Sequence, residues 1–141
     1  MPFANTNVSI VQRDGATSAM KQTSMIDALM NSANSRIKSA ATTNATSAKV
    51  GAATLKVLSL HNNSAAAKFV KFYDKASAPV VGTDVPVFTV ALAVNESRDL
   101  VAIGGIWQFT LGIAYAITNL VADTDTTAVA LDDVHGSIAW L

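Results

Sequence analysis

The chain has 141 residues, of which 50% are hydrophobic and 14% are charged, with ten basic and ten acidic residues. Average proteins carry about 25% charged residues, so we expect other chains to cover much of this surface. The lack of cysteine excludes a disulfide framework and a zinc–thiolate site. The zero net charge argues against a nucleic-acid partner held by bulk charge.

The charges are distributed unevenly along the chain. Residues 1–75 contain nine basic and three acidic residues, whereas residues 76–141 contain one basic and seven acidic residues. Such complementary halves could steer copies of the chain into head-to-tail contact. The alternative is that the charges scatter over one folded surface, because the halves of a sequence need not be the halves of a structure.

Residues 1–38 are predicted to form an extended, partly helical arm. Apolar residues near helical spacing predict one short helix over residues 25–37, although the Asn and Ser residues among them are poor helix formers. Ile26, Leu29 and Met30 lie in this segment and are candidates for contact with a neighbouring subunit. The alternative is a poorly ordered tail.

Residues 39–141 are predicted to form an all-β domain, an antiparallel β-sandwich of about seven to eight strands that is either jelly-roll or immunoglobulin-like. Residues 39–51 are small and polar and allow a first edge strand. Short runs with turn signals between them predict further strands over residues 55–61, 67–74, 85–94, 97–103, 113–118, 128–131 and 134–141.

Strict alternation assigns the faces of two of these strands. Within residues 55–61, one face is expected to carry Leu55, Val57, Ser59 and His61, and the other Lys56, Leu58 and Leu60. Within residues 67–74, one face is expected to carry Phe69, Lys71 and Tyr73, and the other Val70, Phe72 and Asp74. Pro79, Gly82 and Pro86 follow and predict a structured loop between two strands.

An uncharged stretch over residues 100–122 is long enough to span a bilayer. It is interrupted by polar residues and three glycines, and both of its flanks are acidic, so it has no positive-inside anchor. We therefore favour two buried strands joined by a glycine-containing loop that carries Trp107 and Phe109, and we expect no membrane partner.

The inventory of reactive side chains does not favour catalysis. There is no cysteine and only one glutamate, and we find no serine-nucleophile, phosphate-loop or zinc-protease motif. His61 and His135 could hold a metal only if the fold brought them together. Asp123 and Asp125 could hold a cation, although acidic turns are usually solvated. We predict a non-enzymatic protein with no cofactor and no metal.

Aromatic residues are the candidates for a binding surface. Most are expected in the core or at subunit contacts, and Trp107, Phe109 and Trp140 are predicted to serve as interface anchors. A sugar-stacking platform that uses Trp107, Phe109 or Tyr115 is the alternative.

Three segments resemble a recurrent module of small structural proteins from the virions of tailed bacteriophages, including capsid decoration or cement proteins. They are VKFYDKASAPVVGTDVPV (residues 70–87), GIAYAIT (residues 112–118) and ADTDTTAV (residues 122–129). The resemblance covers roughly residues 50–141, whereas residues 1–50 match nothing that we can name. It implies a β-sandwich in a repeated structural protein, and it has no enzymatic residues to carry over.

The resemblance implies a protein of the virion, assembled in the host cytoplasm. We expect a capsid decoration or cement protein, a homo-oligomer with a trimer as the expected form, which bridges subunits of the major capsid protein or other virion proteins. Its arm would reach a neighbour. A neck, tail or baseplate adaptor is the first alternative, and a carbohydrate-binding or host-recognition module is the second.

Overall fold

A computed structural model of the protein describes residues 32–141, and these residues form nine β-strands and no helix. In chain order the strands are β1 (Ala33–Lys38), β2 (Thr46–Val50), β3 (Ala53–Asn62), β4 (Lys68–Asp74), β5 (Phe88–Leu92), β6 (Ser97–Val101), β7 (Trp107–Phe109), β8 (Gly112–Thr118) and β9 (Val134–Trp140).

The strands form two antiparallel sheets. The first sheet has the order β1-β9-β3-β6, and β7 also pairs with β3; the second sheet has the order β2-β8-β4-β5. The predicted all-β architecture is thus confirmed, and β2 lies at a sheet edge as predicted for residues 39–51. The predicted strand over residues 128–131 does not form, because this segment belongs to the connection between β8 and β9.

Strand β1 corrects the prediction of a helix over residues 25–37. Residues 33–38 pair with β9 from Ala33 opposite Trp140 to Lys38 opposite His135, and the side chain of Ile37 is fully buried. Poor helix formers at 34 and 35 give the helix little local support, whereas pairing with β9 satisfies the backbone hydrogen bonds. The remainder of the predicted helix, including Ile26, Leu29 and Met30, lies outside the described residues.

One hydrophobic core joins the two sheets. The buried cluster includes Leu58 and Ile138 from the first sheet together with Val70, Phe72 and Ile117 from the second. The sheets therefore pack face to face, in a sandwich-like arrangement.

A β-bulge in β3 changes the predicted assignment of faces. The pairing of β3 with β9 shifts between Leu55 and Val57, so Leu55 and Leu58 are both buried in the core. Strict alternation placed these two leucines on opposite faces. The extra residue of a bulge reverses the alternation of faces beyond it. No local sequence signal predicts a bulge at this position.

Close approach of β9 to β3 depends on Gly136. A Cβ atom at this position would overlap the carbonyl oxygen of Ser59 and crowd the Cα atom of Leu60. Only glycine lets the two backbones pair at this distance.

The uncharged stretch over residues 100–122 contains the end of β6, all of β7 and all of β8. Strand β8 is buried along its whole length, whereas β7 is buried only at Phe109. Within the described residues, no helix is long and apolar enough to cross a membrane.

Candidate interaction surface

Trp107 is supported from inside the molecule by a row of aromatic rings. Its ring centroid lies 5.4 Å from that of Phe88, which stacks on Phe72 at 4.8 Å. Phe72 in turn lies 6.4 Å from Tyr115 in the core. Trp107 is nevertheless 42% exposed, so it is a surface residue that packs on an aromatic row leading from the partly buried Phe88 into the core.

The β3 bulge positions the loop before Trp107. Strands β6 and β7 pair with successive parts of the same edge of β3. Between them, the Ala102 amide donates to the carbonyl of Lys56 at 2.9 Å, and the Ile106 amide donates to the carbonyl of Leu55 at 2.7 Å. The loop therefore follows β3 closely, and Trp107 projects from a firmly attached edge.

Exposed apolar residues are concentrated at this edge. Leu100, Val101 and Ile103 are exposed together with Trp107, and we call these four residues the Trp107 patch. Single exposed apolar residues are common on protein surfaces. Leu100 and Trp107 pair with Leu58 and Leu55 of the core, so both lie on the inward side of this edge, whereas Val101 pairs with Val57 and lies on the outward side. A supported tryptophan with exposed apolar neighbours along one sheet edge is typical of an interaction site.

The predicted interface residues have different environments in the structure. Trp107 is exposed as an anchor should be, whereas Phe109 and Trp140 are only 2% and 6% exposed and belong to the core. Phe109 faces Ala53 across the β3–β7 pair, and Trp140 faces Leu55 across the β3–β9 pair. Because Tyr115 is also buried, a sugar-stacking platform would rest on Trp107 alone.

Leu100, Val101 and Ile103 were not predicted as site residues. The sequence shows them as the apolar end of a strand, and such a run is usually buried. Their exposure follows from the position of β6 at the end of the sheet.

The two histidines are brought together. His61 and His135 face each other across the β3–β9 pair. His61 Nδ1 lies 2.9 Å from Ser97 Oγ, and His135 Nε2 lies 2.8 Å from the carbonyl oxygen of Asp132. In the described part of the chain, no group of three or more potential metal ligands occurs, so the pair lacks the ligand set of a metal centre.

Asp125 anchors its own loop. Its carboxylate accepts hydrogen bonds from the amide of Leu120 at 2.9 Å and from the amide and hydroxyl of Thr127. Partial burial acts to raise the pKa of Asp125, but these hydrogen bonds outweigh it and lower the pKa. Asp123 is exposed. The predicted candidate cation site therefore contains a structural carboxylate and a solvated one.

Asp74 fixes the turn between β7 and β8. It accepts hydrogen bonds from the amides of Thr110, Leu111 and Gly112 and from the Thr110 hydroxyl. Burial acts to raise the pKa of Asp74, but the hydrogen bonds from Thr110 and its neighbours lower it to about 2. This carboxylate thus closes the turn that follows Phe109 (β7) and precedes β8.

Basic residues of the first half of the chain pair with acidic residues of the second half within the same molecule. Ion pairs join Lys38 to Asp132 at 3.0 Å, Lys68 to Asp133 at 3.1 Å, and Lys75 to Asp84. Each pair combines a cation from residues 1–75 with an anion from residues 76–141. The charge asymmetry therefore carries no argument for head-to-tail contact between copies.

Comparison of the chain with protein-family models, with curated protein sequences and with solved structures finds no match.

Proposed function

We propose that the protein is a non-enzymatic structural component of a tailed-bacteriophage virion, a capsid decoration or cement protein that bridges neighbouring capsid subunits. The resemblance of residues 70–87, 112–118 and 122–129 to small phage virion proteins motivates this proposal. The Trp107 patch is the observation that carries it, because the protein needs an apolar surface on which other chains can dock.

The strand order supports a jelly-roll assignment over an immunoglobulin-like one. With β6 and β7 counted as one interrupted strand, the pairs β1–β9, β2–β8, β3–β6 and β4–β5 are those of a long hairpin rolled into two sheets. Jelly rolls are found in viral capsid domains, and also in lectins and cupins. The fold is therefore compatible with a virion role.

The mechanism would be burial of surface between subunits. A protein interface of standard size buries about 1,600 Å² in total, and its energy is concentrated in a few central residues, often tryptophan. Repetition of such a contact over a shell would raise the barrier to opening under internal pressure. Trp107 suits the central position, because the rings of Phe88 and Phe72 hold it before any partner binds.

Light scattering on the purified 141-residue chain tests self-association. We expect an oligomer, with a trimer as the leading possibility, that dissociates in Trp107→Ser and persists in Leu131→Ser. Leu131 is the matched control, because it is an exposed apolar residue outside the patch. An oligomer of unchanged mass in Trp107→Ser would exclude the patch from self-association.

A capsid role is tested on particles that carry the protein. Particles stripped of it by mild heating or chelation should burst at a lower temperature than intact ones, and rebinding of the wild-type chain should restore the difference. An unchanged burst temperature contradicts the cement role. Copy number separates the shell from a neck, tail or baseplate adaptor, since a shell needs many more copies than a ring.

A carbohydrate-binding module is the second candidate, favoured by the exposed indole of Trp107 and by the occurrence of lectins among jelly rolls. Aromatic stacking on a sugar would require that indole, so glycan-array binding by the wild-type chain that disappears in Trp107→Ala would support this candidate. Leu131→Ala should retain any such binding.

A further inference from the structure

One end of the hydrophobic core is closed by polar side chains. Lys68 lies two residues before Val70 on β4, so it shares the inward face of that residue, and only 6% of its surface is exposed. Strands β4 and β8 pair as far as Phe69 opposite Thr118. Asn119, the next residue after β8, therefore lies beside Lys68.

Lys68, Asn119 and Asp133 form a connected group. Lys68 Nζ donates to Asn119 Oδ1 at 2.6 Å and lies 3.1 Å from Asp133 Oδ2. The side chains of Lys68 and Asp133 are 8% and 15% exposed. The lysine amine thus lies within hydrogen-bond reach of both a carboxamide and a carboxylate.

The carboxamide is oriented by a further contact. Asn119 Nδ2 donates to the carbonyl oxygen of Ala128 at 2.5 Å, which directs Oδ1 towards Lys68. Asp133 Oδ2 also accepts from the Ala130 amide at 2.9 Å. Because the fold holds all three groups in place, the entropy loss of bringing them together occurs on folding and not in the reaction.

We propose that Lys68 and Asn119 form an intramolecular isopeptide bond, with Asp133 as the proton carrier. The Lys68 ammonium gives a proton to Asp133, and the free amine attacks Asn119 Cγ. The new C–N bond forms, Asp133 returns this first proton to Nδ2, and the bond from Cγ to Nδ2 breaks with release of ammonia. The attacking nitrogen then gives up its second proton, which the departing ammonia takes to become ammonium. One ammonium ion leaves in exchange for the charge of Lys68, so atoms and charge balance and no oxidant is required.

The reaction changes the charges at this end of the core. The buried ammonium of Lys68 becomes a neutral amide, and the Asp133 carboxylate that remains keeps its hydrogen bond from the Ala130 amide. Asn119 is only half-buried, so ammonia can escape. The bond would join β4 to the end of β8 covalently, in addition to their backbone hydrogen bonds.

The chain contains a matched comparison for Lys68. Lys71 is fully buried on the same strand, but its Nζ donates to the main-chain carbonyl of Ala122. Attack at that carbonyl would cleave the chain rather than release ammonia. Lys71 therefore serves as a buried lysine for which no cross-link is expected.

Intact mass spectrometry of the purified, denatured 141-residue chain tests the proposal. We expect a mass lower than the sequence mass by one ammonia, and a cross-linked pair of peptides that contains Lys68 and Asn119 after proteolysis. A chain at its full sequence mass overturns the proposal. A deficit that maps to another residue, as in cyclisation of a single asparagine, overturns it as well.

Three variants assign the roles. Lys68→Arg keeps the positive charge but lacks a nucleophilic amine, and Asp133→Asn keeps the side-chain shape but lacks the proton carrier. Both variants should therefore have the full mass calculated from their sequences. Circular dichroism should show that both are still folded β proteins. Lys71→Met should retain the deficit. A deficit that persists in Lys68→Arg contradicts the cross-link, and one that persists in Asp133→Asn contradicts the role of Asp133.

Discussion

The outer faces of the two sheets are built from similar alternating strands but lie in different surroundings. On the first sheet, Arg36, Ser137, Ser59 and Asp99 form one cross-strand row, and this polar face is open to solvent. On the second sheet, the corresponding face carries Tyr73, Ala114 and Ala116, and all three are buried. The difference arises from the connections between strands and not from the strands themselves.

Two loops cover the second sheet, and we call residues 75–87 and 119–133 the covering loops. Val81 from the first packs on Tyr73 and its alanine neighbours, and Lys71 reaches the carbonyl of Ala122 in the second. Burial lowers the pKa of Lys71, whereas the carboxylates of Asp125 and Asp123 act in the opposite direction. A strand covered on both sides loses its alternation of burial, which explains why β4 is buried at five of its seven positions.

The largest expected effect comes from a charge placed beneath the covering loops. Ala114→Glu puts a carboxylate on a fully buried position opposite Tyr73, and should destabilise the fold by about 3 kcal/mol or more. Ser137→Glu, on the open face opposite Arg36, should stay within about 0.5 kcal/mol of the wild type. Urea unfolding followed by circular dichroism measures both, and equal losses would refute the difference between the faces.

The next effect concerns the anchor of the second covering loop. Asp125→Ala removes the acceptor for Leu120 and Thr127, and should cost about 2 kcal/mol, since hydrogen bonds to a charged group are among the stronger ones. The near-ultraviolet circular dichroism of Tyr73 should weaken as its cover loosens. Asp99→Ala, which loses only an exposed contact with Ser59, is the control and should change stability by less than about 0.5 kcal/mol.

Acid should weaken the end of β4. The pKa of Asp74 is lowered from 3.8 to about 2, so its contribution to stability is complete above the unfolded-state pKa and is lost as the pH falls towards 2. Asp74→Asn should lose about 1.5 kcal/mol at pH 7. Urea unfolding at a series of pH values should show the gap between wild type and variant closing below pH 4; a constant gap would contradict the assignment.

The smallest expected effect is a gain in the stability of the fold. The Tyr73 hydroxyl is buried and finds no hydrogen-bond partner among the described residues, and burial, followed by the charges of Asp123 and Asp84, raises the pKa of this group. Tyr73→Phe removes an unsatisfied polar group and should stabilise the fold by about 1 kcal/mol. Thermal unfolding measures the change, and a lower melting temperature would mean that the hydroxyl has a partner after all.

Particular residues show where prediction from sequence succeeded. Aromatic and β-branched alternation identified the strands around Tyr73 and Tyr115, because such side chains pack well on a pleated sheet. The candidate site was predicted only in part: Trp107 was named, but two core aromatics were named with it. The local sequence around an aromatic residue at a strand end does not show whether its side chain faces the core or a partner.

The sequence by itself determined the all-β class, most of the strands and the absence of a disulfide framework, since these depend on local periodicity and composition. Only the tertiary structure decided that residues 33–38 complete the first sheet, that a bulge reverses the faces of β3, and that opposite charges meet within one chain. It also brought together Lys68, Asn119 and Asp133. These features depend on contacts between residues distant in sequence, and local patterns carry no information about which distant segments meet.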